Sequence, residues 1–148
     1  MEYSTKLFGK IDVAEDKIIE FPNGILGFPD LKKFTLMFDS DNSSPTGLNF
    51  LVSLDEPAFV LPVVAAISVK PDYAPKISGD IEKAIGPLTE DNLLIMVTMT
   101  IPEDITKMTV NLNAPIVIND DSRKAVQAVV ENEEYDIKYP IYDFLKKS

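Results

Sequence analysis

The sequence predicts a mainly β fold of short strands with one or two short helices, and three observations carry that prediction. Apolar residues recur in brief runs, and Val110 and Leu112 alternate with Asn111 and Asn113, the period-two mark of a strand buried on one face. Eleven prolines are spread along the chain, which suits short strands joined by turns, because each proline removes a backbone donor. Helical spacing is credible in one stretch, where Ile81, Ala84, Ile85 and Leu88 share a face. There Ser78 can cap, Asp80 and Glu82 sit near the positive end of the dipole, and Gly86-Pro87 stops the helix.

Taken in order, residues 3–8 and 11–13 read as one or two strands, with Gly9 permitting a turn or bulge between them. Residues 17–21 form a further strand closed by Pro22-Asn23-Gly24. Asn23-Gly24 adopts positive φ cheaply and Gly27 offers a second permissive point, so this loop can double back while Ile25, Leu26 and Phe28 turn inward. One helical turn is expected over residues 29–33 and a strand over 34–38. Residues 39–47 hold no apolar side chain and read as an exposed loop. Two apolar strand-type segments follow, 48–54 and 59–69, separated by the turn Asp55-Glu56-Pro57, with Pro62 marking an edge or a kink.

The longest strand candidate covers residues 93–101, and a brief turn at 102–106 leads into residues 109–119. There Pro115 interrupts the alternation and Ile116-Val117-Ile118 restarts it, so spacing predicts two short strands meeting at a proline corner. Asn119-Asp120-Asp121-Ser122 is a cluster of turn formers. Residues 125–130 read as a strand, since a helix would bury valines and the polar Gln127 on no consistent face. Residues 131–134 form a charged turn, and the tail from Tyr135 either packs as a final strand and short helix or extends to a partner.

A chain of 148 residues is the size of one ordinary domain, so residues 1–148 are read as a single unit with one continuous core. No apolar run approaches the roughly 20 residues of a membrane helix. The start, Met1-Glu2-Tyr3-Ser4-Thr5-Lys6, lacks the pattern of a secretory signal, which points to the cytoplasm. The net charge of −10 argues against direct binding of nucleic acid, whose phosphates need lysine and arginine; arginine occurs only at Arg123. An acidic surface would attract a basic protein instead, although acidity also serves solubility alone.

With no His and no Cys, the sequence excludes a Ser-His-Asp triad, a cysteine nucleophile and the usual zinc sites. No glycine-rich phosphate cradle is present, and no cofactor is expected. Carboxylates adjoin at Asp55-Glu56, Glu90-Asp91, Glu103-Asp104 and Asp120-Asp121, and glycosidase-type chemistry needs only two. All four pairs fall in expected turns, where solvation explains them. Asn119-Asp120-Asp121 lacks the graded ligand spacing of a calcium loop.

The wording of the corner is itself informative. N-L-N-A-P-I-V-I-N at 111–119, followed by Arg123 and Gln127, resembles the C-terminal signature of the FliW family of bacterial flagellar assembly factors. Phe21-Pro22-Asn23-Gly24-Ile25-Leu26-Gly27-Phe28 resembles that family's F-x-x-G-I-x-G-F, and residues 50–59 look like its central strand and turn. The resemblance implies a small, largely antiparallel β-barrel-like domain that binds partners without catalysis. It implies two cytoplasmic partners, newly made flagellin near its C-terminal end and the RNA-binding translational repressor CsrA, whose capture frees the flagellin message.

Candidate contacts are then the polar or small corner residues Asn111, Asn113, Ala114, Pro115 and Asn119, with Asp55, Glu56, Asp120 and Asp121 as an acidic rim. The competing role for Asn111 and Asn119 is to cap turns. Two other readings are an acid–base hydrolase using two carboxylates in a barrel-mouth cleft and an acidic β domain serving in an assembly.

Overall fold

A computed structural model of the chain describes residues 2–5, 9–38, 49–77 and 81–141. Strands β1 (Glu2–Thr5) and β2 (Gly9–Asp12) form an antiparallel hairpin of their own. The main sheet contains β3 (Ile19–Glu20), β4 (Lys33–Phe38), β5 (Asn49–Ser53), β6 (Val60–Ala65), β7 (Leu93–Thr100), β8 (Thr109–Val110), β9 (Ile116–Asn119), β10 (Lys124–Gln127) and β11 (Tyr139–Pro140). Seven of these close into a barrel in the order β7-β6-β5-β4-β3-β10-β9, because β9 pairs with β7. Its pairings are antiparallel except for β3 with β10, which run parallel through Glu20 and Lys124. Closure leaves the central strands no open edge. Two short helices, α1 (Ala66–Val69) and α2 (Ile81–Ile85), lie between β6 and β7.

Two hydrophobic cores, rather than the one continuous core expected, account for the heavily apolar middle of the sequence. One fills the barrel, with Ile19, Phe21, Phe34, Leu51, Val63, Met96 and Ile118 inside. The other covers the outer face of β6 and β7, where Val64, Val97 and Met99 pack against Val69, Tyr73, Val130, Tyr135 and Ile141. Neighbouring residues such as Val63 and Val64 therefore point to different cores, and β6 and β7 read as near-continuous apolar runs for that reason. The C-terminal segment is strapped down by Tyr73 and Tyr135, whose rings lie 4.7 Å apart, and by a bond from the Ala74 amide to the Tyr135 hydroxyl.

The corner in the 109–119 stretch is a large bulge. Met96 pairs with Ile116 and Met99 with Val110, so Val97 and Thr98 on β7 face the five residues 111–115 on the partner strand. Pro115 ends this excursion, in keeping with the two strands and proline corner expected from the spacing.

Several expectations are corrected. Residues 29–30 form a turn and 31–32 are irregular, with no helical turn, and β4 already begins at Lys33. The apolar segment 59–69 is a strand only to Ala65; its last four residues are α1, whose Ala66 and Val69 enter the outer core. Pro62 lies in a strand flanked on both sides, but β6 pairs with β7 only from Val63 onward, so the missing donor falls where that ladder stops. Gly86, at φ +91°, ends α2 as the sequence suggests. Ser78 and Asp80, the loop at 39–47, and Tyr142, Phe144 and Leu145 of the tail fall outside the described residues.

Candidate partner-binding rim

Strand directions place three distant stretches at one end of the barrel. The loop after β3 (residues 21–32), the turn after β5 (54–59) and the bulge before β9 (111–115) all emerge there, beside the end of β10. Gln127 joins two of them. Its Oε1 accepts the Leu26 amide at 3.1 Å and its Nε2 donates to the Ala114 carbonyl at 3.1 Å. Asp55 joins the third, its Oδ2 accepting the amides of Lys32 and Lys33 at 2.9 and 3.0 Å. Ser53 in turn accepts the amides of Asp55 and Glu56 and fixes the turn.

Within the bulge, Asn111 Oδ1 accepts the amides of Asn113 and Ala114, an Asx turn. Leu112 is held from both sides, donating its amide to Asp136 and accepting the Tyr73 hydroxyl at 2.6 Å. Burial raises the Tyr73 hydroxyl above its ordinary pKa, with Tyr135 adding to the shift, so it stays protonated and able to donate.

The nine candidate contacts do not form one site. Asp55, Glu56, Asn111, Asn113, Ala114 and Pro115 lie at the end just described, whereas Asn119, Asp120 and Asp121 lie at the opposite end, in the turn between β9 and β10. Ala114, Pro115 and Asn119 are buried, which removes them as surface contacts. Asn119 is 1% exposed and every polar atom of its amide is engaged. Its Nδ2 donates to Ile85 and Pro87 carbonyls, and its Oδ1 accepts the amides of Asp121 and Ser122. This is the turn-capping role. Asp55, Glu56, Asp120 and Asp121 are exposed, and Asn113 is half-buried.

Sequence reasoning missed the apolar part of the rim. Ile25 is buried as expected, but Leu26 and Phe28 do not turn inward; each is 49% exposed. The glycines hold the signal. Gly24 and Gly27 both take positive φ, at +70° and +85°, and Ile25 and Phe28 exchange backbone bonds of 3.1 and 2.7 Å, so the chain reverses within four residues and cannot bury every side chain. Phe28 packs edge-on against Phe59 at 4.8 Å beside a shallow cleft of about 340 Å³ that also meets Leu31, Asp30 and Glu56.

The opposite end carries a larger cleft, about 490 Å³, bordered by Asp12, Lys17, Leu36, Leu94, Asp120 and Arg123. It is the barrel mouth a two-carboxylate hydrolase would use. Asp120, however, lies 2.7 Å from Arg123 with its side chain 64% exposed, a solvated ion pair rather than an acid held in a dry pocket. Among the described residues no group of three or more acidic side chains is placed to hold a metal ion. None of their helices is long and apolar enough to cross a membrane.

The family model described as "FliW protein" matches residues 2–141 of this chain. The chain belongs to the FliW family. A FliW flagellar assembly factor of Lachnospira eligens is 44% identical over 148 residues, covering 99% of this chain and 98% of the relative. One from Lachnoclostridium phytofermentans is 39% identical over 143 residues, covering 97% and 92%. A solved FliW structure, titled as the flagellar assembly factor, superposes with a TM-score of 0.85 at 27% identity, over 96% of this chain and 97% of that one. The FliW barrel thus agrees with the fold the resemblance implied, and parts of the three FliW-like motifs, residues 21–28, 54–59 and 111–115, meet at one rim, while the corner motif continues through β9 to the opposite end.

Proposed function

We propose that this chain, working as one domain in the cytoplasm, is a non-enzymatic switch that binds flagellin and the translational repressor CsrA in turn. Free protein captures CsrA and relieves the flagellin message; accumulating flagellin occupies the protein and returns CsrA to the message. Mutually exclusive occupancy is sufficient for the switch, since each partner lowers the free pool available to the other. Full-length membership of a family of flagellar assembly factors is the observation that carries this reading. Its charge supports the CsrA half, because a net charge of −10 steers encounter with a basic RNA-binding protein. The exposed acids Asp55, Glu56, Asp120 and Asp121, with the half-buried Asn111 and Asn113, are the remaining polar contact candidates.

Competition tests the switch directly. A complex preformed with labelled CsrA is titrated with flagellin and followed by fluorescence anisotropy. Displacement to the free-CsrA signal is expected; a stable ternary complex, or a chain that retains neither partner at low salt, overturns the reading.

A further inference from the structure

We infer that the reversal at residues 25–31 is a docking knob for an amphipathic helix with basic flanks, and that on the reading above this helix belongs to flagellin rather than to CsrA. Three observations lead there. Leu26 and Phe28 are each 49% exposed on the same four-residue reversal, and Phe28 lines a cleft with Leu31 and Phe59, an apolar surface of a size that receives one or two side chains. Their exposure is built in, because neither backbone can relax inward. Ile25 and Phe28 are bonded to each other, and a Cβ on Gly24 would lie 2.5 Å from Pro29, so the reversal is packed shut.

The backbone then selects the occupant. The amides of Ile25, Leu26, Phe28 and Leu31 are all consumed, by Phe28, by the Gln127 side chain, by Ile25 and by Phe28. A segment arriving as a strand would find no ladder of donors here and would leave its own backbone groups unpaired. A helix satisfies its backbone internally and needs only apolar contact. Asp30 and Glu56 flank the cleft, which sets the sign of the charge beside the apolar face. The same acids disfavour a second copy of this chain as the occupant, since a two-fold contact through this patch would set like charges against each other. Gln127 is the positioning residue, clamping Leu26 to the bulge through its two bonds.

The test uses the full chain with purified flagellin and CsrA. Leu26→Ser and Phe28→Ser are each expected to weaken flagellin binding by about tenfold or more while CsrA binding stays within about twofold, as expected for anchors of one interface only. A peptide from the C-terminal end of flagellin should gain helical ellipticity on mixing with the wild-type chain and not with Phe28→Ser. Both side chains are half exposed, so unfolding midpoints should stay near wild type; if one shifts, Asp30→Lys, an exposed cleft residue that leaves the apolar cluster intact, supplies the same comparison. Wild-type affinity for flagellin in all three variants overturns the knob and leaves the switch standing. Failure of the wild-type chain to bind flagellin at all overturns the switch itself. A concentration-dependent dimer abolished by Phe28→Ser would give the surface to a second copy and also overturn the proposal.

Discussion

At Asn119 one side chain holds three segments together: the end of α2 through Ile85, the following Pro87, and the β9–β10 turn through Asp121 and Ser122. Asn119→Ala should lower unfolding stability by about 1–3 kcal/mol, because it deletes the four bonds of a buried amide and leaves the Asp121 and Ser122 amides without that acceptor, while the Ile85 and Pro87 carbonyls keep donors in Ser122 and Asn92. Urea unfolding checks this; an unchanged midpoint with weakened partner binding would return Asn119 to the contact surface. Tyr73 gives a pH signature. Its pKa is raised by burial, so its contribution is complete below the ordinary phenol value of about 10 and is lost as pH rises toward the folded value. Stability should fall by up to about 1.4 kcal/mol per pH unit in that alkaline window. Tyr73→Phe should flatten the fall and cost about 1 kcal/mol at neutral pH through the abandoned Leu112 carbonyl. Equal alkaline slopes for both proteins would assign the loss to other groups.

The two glycines of the 21–32 loop separate two costs that look alike in sequence. Both have positive φ, but a Cβ on Gly24 would meet the Pro29 backbone at 2.5 Å whereas one on Gly27 meets nothing within 4 Å. Gly27→Ala should therefore cost about 1 kcal/mol, the left-handed backbone penalty alone. Gly24→Ala adds a clash with backbone that cannot swing aside and should cost about 3 kcal/mol or more. Paired thermal unfolding decides, and similar losses would mean the loop yields. Sequence pattern could place both glycines in a tight turn, because the cue is local. It could not tell which neighbours point outward, since that depends on how Gln127 and Phe59 meet the loop from more than 30 residues away. The end of β6 failed for the same reason: Ala66, Ile67 and Val69 are apolar as a strand's residues would be, and only the outer core selects their helix. Strands at β4, β5, β7 and the corner were legible because alternation and proline are intrinsic to them.

At the scale of the molecule, periodicity supplied strands and the family resemblance supplied the barrel, while the separation of the acids needed the closed sheet. Asp55 and Glu56 are at one end, Asp120 and Asp121 at the other, although sequence reasoning grouped them as a single rim. A chain with acids at both ends and an apolar knob at one should answer to salt in two ways. On the proposed reading, association with basic CsrA would draw on the whole field, so its on-rate should drop by about tenfold or more between low salt and about 0.5 M, with little change in dissociation rate. Docking of the proposed helix on Leu26 and Phe28 should be less sensitive, because desolvation of its apolar face is not screened and only its basic flanks beside Asp30 and Glu56 respond to salt. Added salt should then favour displacement: the flagellin concentration that releases half of the bound CsrA should fall as ionic strength rises. Stopped-flow association with each partner across a salt series checks both slopes. Parallel slopes would mean that the two partners are recognised by the same charged surface, and the apolar knob would have no separate part in the exchange.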